Sequence, residues 1–107
     1  MVIEWLKFRV ASDAREKFIQ QDEAIWTAAL KSRSGFIGKE VWLDPSKASE
    51  VIFVIRWQSR QQWKSIPMDF LAATEREFIQ AMGKTKYKMI ESKEFQIRKF
   101  SRLDIEK

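Results

Sequence analysis

Arg56 and Tyr87 are the two residues whose types and positions make them candidates for chemistry in this chain. Arg56 follows the apolar run 51–55, and an arginine inside a sheet needs a carboxylate or a bound anion beside it. Glu4 and Glu40 are the candidate carboxylates, and a structural ion pair is the simpler interpretation. Tyr87 is the only tyrosine, so it is the one phenol that could donate a proton. Packing at the edge of a strand is its more ordinary role.

Tryptophan is the second conspicuous residue type, with five in 107 residues. These side chains could stack a flat ligand, or they could pack a core and an interface. Trp26 is predicted on the inner stripe of a helix, whereas Trp57 and Trp63 stand at a strand–helix junction that packing alone explains. The faces of Trp5 and Trp42 stay open, because a shift of one residue in strand register exchanges the two faces. A ligand pocket would be lined by five aromatic residues: Trp26, Phe53, Trp57, Trp63 and Phe78.

Cysteine and histidine are missing from the sequence, and their absence excludes several kinds of site. The sequence has no cysteine and no histidine, so it offers no disulfide, no thiolate nucleophile, no Ser-His-Asp triad and no imidazole ligand for zinc or haem. The acidic residues are scattered, and Asp22, Glu23, Glu75 and Glu77 are interpreted as solvated positions on helices. We therefore predict no metal site and no cofactor.

The net charge of +5 is concentrated near the C-terminus, where Lys84, Lys86 and Lys88 alternate with other residues. We interpret these lysines as guards of a strand edge. Nucleic-acid binding through them is the alternative, but no recognised motif accompanies it, so no nucleic-acid partner is predicted. No apolar run reaches the ~18 residues of a membrane span, and no leader is recognised. A cytoplasmic protein without membrane contact is expected.

Hydrophobic periodicity predicts the order β-α-β-β-α-β, an α+β ferredoxin-like domain with an antiparallel four-stranded sheet. The first helix is predicted to begin with a capping box at Asp13 and Glu16, and the short helix after the third strand with one at Ser59 and Gln62. We expect a single domain over 1–100 and a frayed tail over 101–107. The predicted strands are 2–10, 36–43, 50–57 and 87–100 (with a break at 92–93), and the predicted helices are 13–32, 59–63 and 69–82.

The third strand indicates a second subunit. Two helices cover only one face of a four-stranded sheet, yet the run 51–55 is apolar on both of its faces, as a strand buried on both sides would be. The chain has no further element to cover the second face. A second copy, packed through that face about a two-fold axis, is the simplest cover. We therefore predict a homodimer through the sheet face.

Several short motifs, in this order and spacing, resemble the antibiotic biosynthesis monooxygenase (ABM) domain family of the dimeric α+β barrel superfamily. They are Ser34-Gly35-Phe36-Ile37-Gly38, Glu40-Val41-Trp42, Trp57-x-Ser59 and Arg60-Gln61-Gln62-Trp63. The chain looks most similar to an uncharacterised cyanobacterial branch of that group. The resemblance implies a dimeric α/β barrel with a pocket between sheet and helices. The members of the family that the chain resembles include cofactor-independent monooxygenases of polycyclic aromatic substrates, haem-degrading enzymes and many proteins of unknown role.

This chain departs from the family pattern at the residues that carry the known activities. The haem-degrading members use a histidine at a position that falls near Arg76, and a tryptophan at a position that falls near Ile66. Haem degradation with a histidine ligand is therefore not expected. The monooxygenase members use an asparagine, and this chain has none.

Two functions stay open at the level of sequence. One is a monooxygenase-like enzyme that binds a planar organic small molecule in the aromatic pocket, with polar groups such as Arg56 or Tyr87. The alternative is a non-catalytic homodimeric binding or interaction module whose pocket is simply filled core. A cavity of at least ~300 Å³ with two or more convergent polar groups would favour the enzyme.

Overall fold

A computed structural model describes residues 1–101 and confirms the predicted α+β architecture. One antiparallel four-stranded sheet has the strand order β2-β3-β1-β4, and the helices pack on one of its faces. Apart from Ser101, the tail predicted to be frayed lies outside the described residues. The strands are β1 (Val2–Val10), β2 (Phe36–Trp42), β3 (Glu50–Trp57) and β4 (Tyr87–Gln96), and the helices are α1 (Arg15–Asp22), α2 (Ala28–Leu30), α3 (Arg60–Lys64) and α4 (Met68–Met82).

The predicted start of the first helix is wrong in its detail. No side chain caps α1, so Asp13 and Glu16 form no capping box, and a 3-10 turn at Ser12–Ala14 leads into the helix instead. Between α1 and α2 the backbone follows a π-helical turn, Glu23–Thr27. The three segments form one continuous helix over 15–30. π-helical turns are rare overall, but those that occur are often found at functional sites. This one carries Trp26.

The predicted junctions on either side of β2 and β3 are confirmed. Gly35 lies in the turn between the first helical region, which ends at Leu30, and β2, and it has a φ of 89°, a conformation that favours glycine. Ser59 begins α3 as predicted, because its hydroxyl accepts a hydrogen bond from the Gln62 backbone N–H at 3.1 Å. The Gln62 amide in turn donates to Ser34 Oγ at 3.0 Å. This network fixes the angle at which the chain leaves the sheet.

The pairing of the strands shows which face of the sheet Trp5 and Trp42 occupy. Trp5 pairs with Val54, and Trp42 pairs with Ile52. Both therefore lie on the sheet face that points away from the helices, here called the outer face, while Phe53 lies on the inner face. On the outer face Trp42 remains 46% exposed and Phe95 47% exposed. A single chain leaves these large aromatic side chains partly uncovered.

The last strand is irregular at a different place from the one predicted. In the pairing of β1 with β4, Lys7 lies opposite Glu91 and Phe8 lies opposite Met89. Ile90 is therefore the extra residue of a bulge, and the predicted break at 92–93 does not occur. The strand also ends at Gln96, before the predicted end at residue 100.

Within residues 1–101, no helix is both long and apolar enough to cross a bilayer.

The core lies between the inner face of the sheet and the helices, in two clusters. One is built around Phe18, Phe53 and Phe78, and the other around Trp57, Ile55 and Leu30. Trp26 and Leu6 pack against both clusters. The clusters do not close completely on each other, and the space between them is the site described next.

Candidate functional site

A cavity of about 560 Å³ lies between the inner face of the sheet and the helices. Its volume is within the range of small-molecule pockets in proteins. The five aromatic residues predicted to line a pocket all line it, together with Tyr87: Trp26, Phe53, Trp57, Trp63 and Phe78. The aromatic side chains thus leave space between them and do not plug the pocket.

Aromatic rings form much of the cavity wall. Phe18 and Phe53 stack with their centroids 5.7 Å apart and an angle of 14° between planes. Phe78 meets Phe18 edge-on, with centroids 5.5 Å apart. Trp57 has no exposed surface and contributes to the wall from the sheet. Such walls suit a flat apolar ligand, because ring faces and edges interact favourably with another ring.

Glu4 places a carboxylate in this wall. It belongs to β1 and pairs with Ile55 on the inner face, and its Oε1 accepts a hydrogen bond from the Trp57 indole N–H at 3.2 Å. Burial raises the pKa of Glu4, whereas the Trp57 hydrogen bond and the more distant Lys64 and Lys39 oppose that rise. Glu4 is therefore a partly desolvated carboxylate that faces the cavity.

Of the two carboxylates predicted as partners of Arg56, Glu40 is the one that pairs with it. Arg56 Nη1 lies 3.0 Å from Glu40 Oε1, and both residues lie on the outer face, where Arg56 pairs with Ile3 and Gly38. Glu4 lies on the opposite face, so pairing of Arg56 with Glu4 is wrong. For the same reason Arg56 does not line the cavity of its own subunit.

Asp22 and Lys39 form a buried ion pair at a second place in the wall. Their side chains are only 6% and 4% exposed, so the expectation that Asp22 is solvated is wrong. Burial raises the pKa of Asp22, and the Lys39 ammonium opposes that rise. Lys39 Nζ also lies over the Phe53 ring, 4.4 Å from its centroid. This pair brings a fixed ammonium group to the cavity from β2.

Glu75 links three elements at a third place in the wall. Its carboxylate accepts hydrogen bonds from Trp26 Nε1 at 3.2 Å and from the Tyr87 hydroxyl at 3.0 Å. The expectation that Glu75 is a solvated helix position is therefore wrong. Burial, with the Glu75 carboxylate adding to it, raises the pKa of Tyr87 to about 12. Tyr87 thus remains protonated over the physiological range and orients its proton toward Glu75.

Sequence reasoning missed the five charged residues of the wall, Glu4, Asp22, Lys39, Lys64 and Glu75. A signal existed for Glu4, which interrupts the apolar face of β1, but it was assigned to Arg56. Lys39 gave no signal, because its place beside Ile55 on the inner face depends on the register of β2 against β3. Asp22 and Glu75 gave no signal, because Asp22 is buried and Glu75 half-buried through contacts with distant parts of the chain.

Neither the acidic side chains nor a basic groove of the described residues forms a comparable site. Within residues 1–101, no three acidic side chains are grouped in a way that could hold a metal ion. A more open groove of about 790 Å³ lies at the far end of β1 and includes Lys86, Lys88, Arg9 and Lys17. It collects basic side chains but does not enclose a ligand.

Sequence comparison identifies a family for this chain. The family described as "Antibiotic biosynthesis monooxygenase" matches residues 1–65, which is more than half of the 107 residues. Among curated proteins, none matches the chain significantly.

Solved structures share the fold at low sequence identity. SnoaB, a cofactor-independent oxygenase from Streptomyces nogalater, is 14% identical with a TM-score of 0.64, over 92% of this chain and 94% of SnoaB. HapK from Hahella chejuensis is 15% identical with a TM-score of 0.68, over 97% and 100%. A dimeric ferredoxin-like protein from an uncultured marine organism is 15% identical with a TM-score of 0.66, over 95% and 100%. At these identities the comparison establishes the fold alone.

Proposed function

Because the chain belongs to the antibiotic biosynthesis monooxygenase family, we propose that it binds a planar organic molecule in this cavity and oxygenates it without a cofactor. One observation carries the proposal: an aromatic cavity of about 560 Å³ into which charged groups converge from three places. A cavity of more than ~300 Å³ with two or more convergent polar groups favours a binding site over a filled core. The similar fold of SnoaB, a cofactor-independent oxygenase, supports the same reaction class.

The reaction that suits this site uses dioxygen as oxidant and the substrate as the source of electrons. A conjugated substrate that loses a proton becomes an electron-rich anion, and the protein's part is to bind, orient and desolvate it. The rings of Phe53, Phe78 and Trp26 would hold the plane of the molecule. The charged groups would receive the proton and balance the negative charge.

We also propose that the protein is a homodimer through the outer face of the sheet. Trp42 and Phe95 are about half exposed on that face in one subunit, and a second copy would cover both. The dimeric ferredoxin-like structure of similar fold supports this arrangement. Sedimentation of the protein at micromolar concentration should give twice the mass of one chain, and a folded monomer would contradict the proposal.

A ligand screen tests the proposed activity. The purified protein is titrated with flat aromatic compounds, with haem and with flavin, and tryptophan emission is recorded together with dioxygen uptake. We expect quenching by flat aromatic compounds, because three of the five tryptophans line the cavity, and dioxygen uptake with those that carry an acidic hydrogen. Quenching without uptake by any compound would favour the non-catalytic binding module.

A further inference from the structure

The register of the sheet places Glu4 and Lys39 in one row. Glu4 of β1 and Lys39 of β2 both pair with Ile55 of the intervening strand β3. Residues paired in this way share a face, so both side chains rise from the inner face into the cavity, and both line it. A carboxylate and an ammonium group thus approach the same ligand from opposite sides of Ile55.

The Glu4 carboxylate retains a free acceptor. Among the hydrogen bonds within residues 1–101, it accepts one, from Trp57 Nε1 to Oε1. No cation of that part of the chain lies within ion-pair distance of it. An ionised carboxylate accepts several hydrogen bonds, so Oε2 is available to a ligand in the cavity. Trp57 fixes the orientation of the group without neutralising it.

Lys39 has the complementary property of retaining free donors. An ammonium group carries three N–H donors, and within the described residues Asp22 accepts one of them. Asp22 holds the ammonium in position through this buried ion pair. Lys39 can therefore interact with negative charge on a ligand, and Asp22 acts as its positioning residue.

We propose that Glu4 is a catalytic residue, the base that takes the proton from a phenolic hydroxyl of the bound ring system, and that Lys39 stabilises the resulting anion. The inference rests on the proposed function and specifies its substrate class as planar phenols. The O–H bond of the substrate breaks, its electron pair stays on the oxygen, and the proton forms a new bond to Glu4 Oε2. The step involves no change in oxidation state.

Other charges around Glu4 are consistent with this role. Lys64 of α3 and Lys39 of β2 lower the pKa of Glu4, while burial raises it. Glu94 of β4 lies opposite Glu4 in the sheet but is paired with Arg60 of α3. Asp22 and Glu75, on the helices that line the cavity, are each engaged by their own donors. Among the described residues, Glu4 is thus the carboxylate of the wall that has a free oxygen and no cation paired with it.

The test uses 2-naphthol, a planar phenol whose excited state is strongly acidic and emits differently as the neutral molecule and as naphtholate. Where bound 2-naphthol is shielded from water, its naphtholate emission requires a proton acceptor beside the hydroxyl. We expect naphtholate emission in the wild-type protein and its loss in Glu4→Gln, which preserves shape but does not accept a proton. Glu94→Gln is the matched control, and its emission should equal that of the wild type.

The outcomes separate this inference from the function on which it rests. Naphtholate emission that persists in Glu4→Gln overturns the role of Glu4 while leaving ligand binding intact. Binding of 2-methoxynaphthalene, which has no acidic hydrogen, reports on the cavity alone. If neither compound binds, the proposed function fails, and the inference fails with it.

A second measurement keeps the inference falsifiable if Glu4→Gln does not fold. In the wild-type protein, naphtholate emission should disappear as the pH falls through the pKa of Glu4, because a protonated carboxyl accepts no further proton. Emission that does not change over that range overturns the inference. The measurement is restricted to pH values at which circular dichroism shows the folded protein.

Discussion

The indole N–H of Trp57 donates a hydrogen bond to Glu4 Oε1 at 3.2 Å, across two neighbouring strands. Trp57 has no exposed surface, so this bond satisfies a buried donor and also orients the carboxylate of the proposed site. The residue that marks the end of β3 in the sequence therefore serves both the core and the chemistry.

The charge of Glu4 is expected to lower the stability of the protein at neutral pH. Burial raises the pKa of Glu4, so its contribution to stability is present below the pKa of the unfolded chain and is lost as the pH rises through the folded value. Glu4→Gln should therefore raise the midpoint of urea unfolding at pH 7, with little change near pH 4. A lower midpoint at pH 7 would contradict the account, which holds that the charge of Glu4 serves function although it lowers stability.

The buried pair of Asp22 and Lys39 predicts a strongly non-additive mutant cycle. Lys39→Met leaves the Asp22 carboxylate buried without its cation, which should cost about 3–5 kcal/mol in the free energy of unfolding. The double change with Asp22→Asn removes both charges and should recover most of that loss. Urea unfolding of the two single variants and the double variant measures the coupling. Additive effects would show that the two side chains are not paired.

Tyr87 offers a direct titration, because it is the only tyrosine in the chain. Absorbance of the tyrosinate near 295 nm should give a pKa of about 12 for the folded protein. Stability from this group is present below the unfolded pKa and should be lost as the pH rises through 12. In Glu75→Gln the midpoint should move toward the ordinary value of 10. A wild-type midpoint near 10 would place the hydroxyl away from Glu75.

Replacement by alanine should change stability differently at Gly35 and at Gly38, two glycines of the same motif. At Gly35 the φ is 89°, and an added Cβ would lie 2.7 Å from the Gln62 side chain. Gly35→Ala should therefore lower the free energy of unfolding by about 1–3 kcal/mol. At Gly38 an added Cβ meets nothing within 4 Å, so Gly38→Ala should change it by at most about 0.5 kcal/mol. Equal effects in thermal unfolding would contradict this.

The fold was accessible to sequence analysis because its landmarks are local. Gly35 needs a positive φ, and Ser59 with Gln62 forms a cap within one turn. The faces of Trp5 and Trp42 were not accessible, because they depend on strand register across the sheet. Membership of a cyanobacterial branch, a cytoplasmic location and the domain boundary at residue 100 stay predictions.

Part of the candidate site could be predicted from the sequence and part could not. The five lining aromatic residues could be predicted because large apolar side chains on inner stripes meet wherever a helix packs on a sheet. The charged groups of the wall could not be predicted, because Asp22 is held by Lys39, and Glu75 by Trp26 and Tyr87. These contacts join residues that are distant in sequence.

The measurement that tests the central claim most directly is the binding of a planar aromatic compound to a protein whose cavity has been filled. Leu71 of α4 lines the cavity, whereas Ile79 of the same helix is 51% exposed and does not. Calorimetric titration with 2-naphthol should show binding to the wild type and to Ile79→Phe, and at least about tenfold weaker binding to Leu71→Phe. Equal affinity in all three proteins would place the ligand elsewhere and contradict the account.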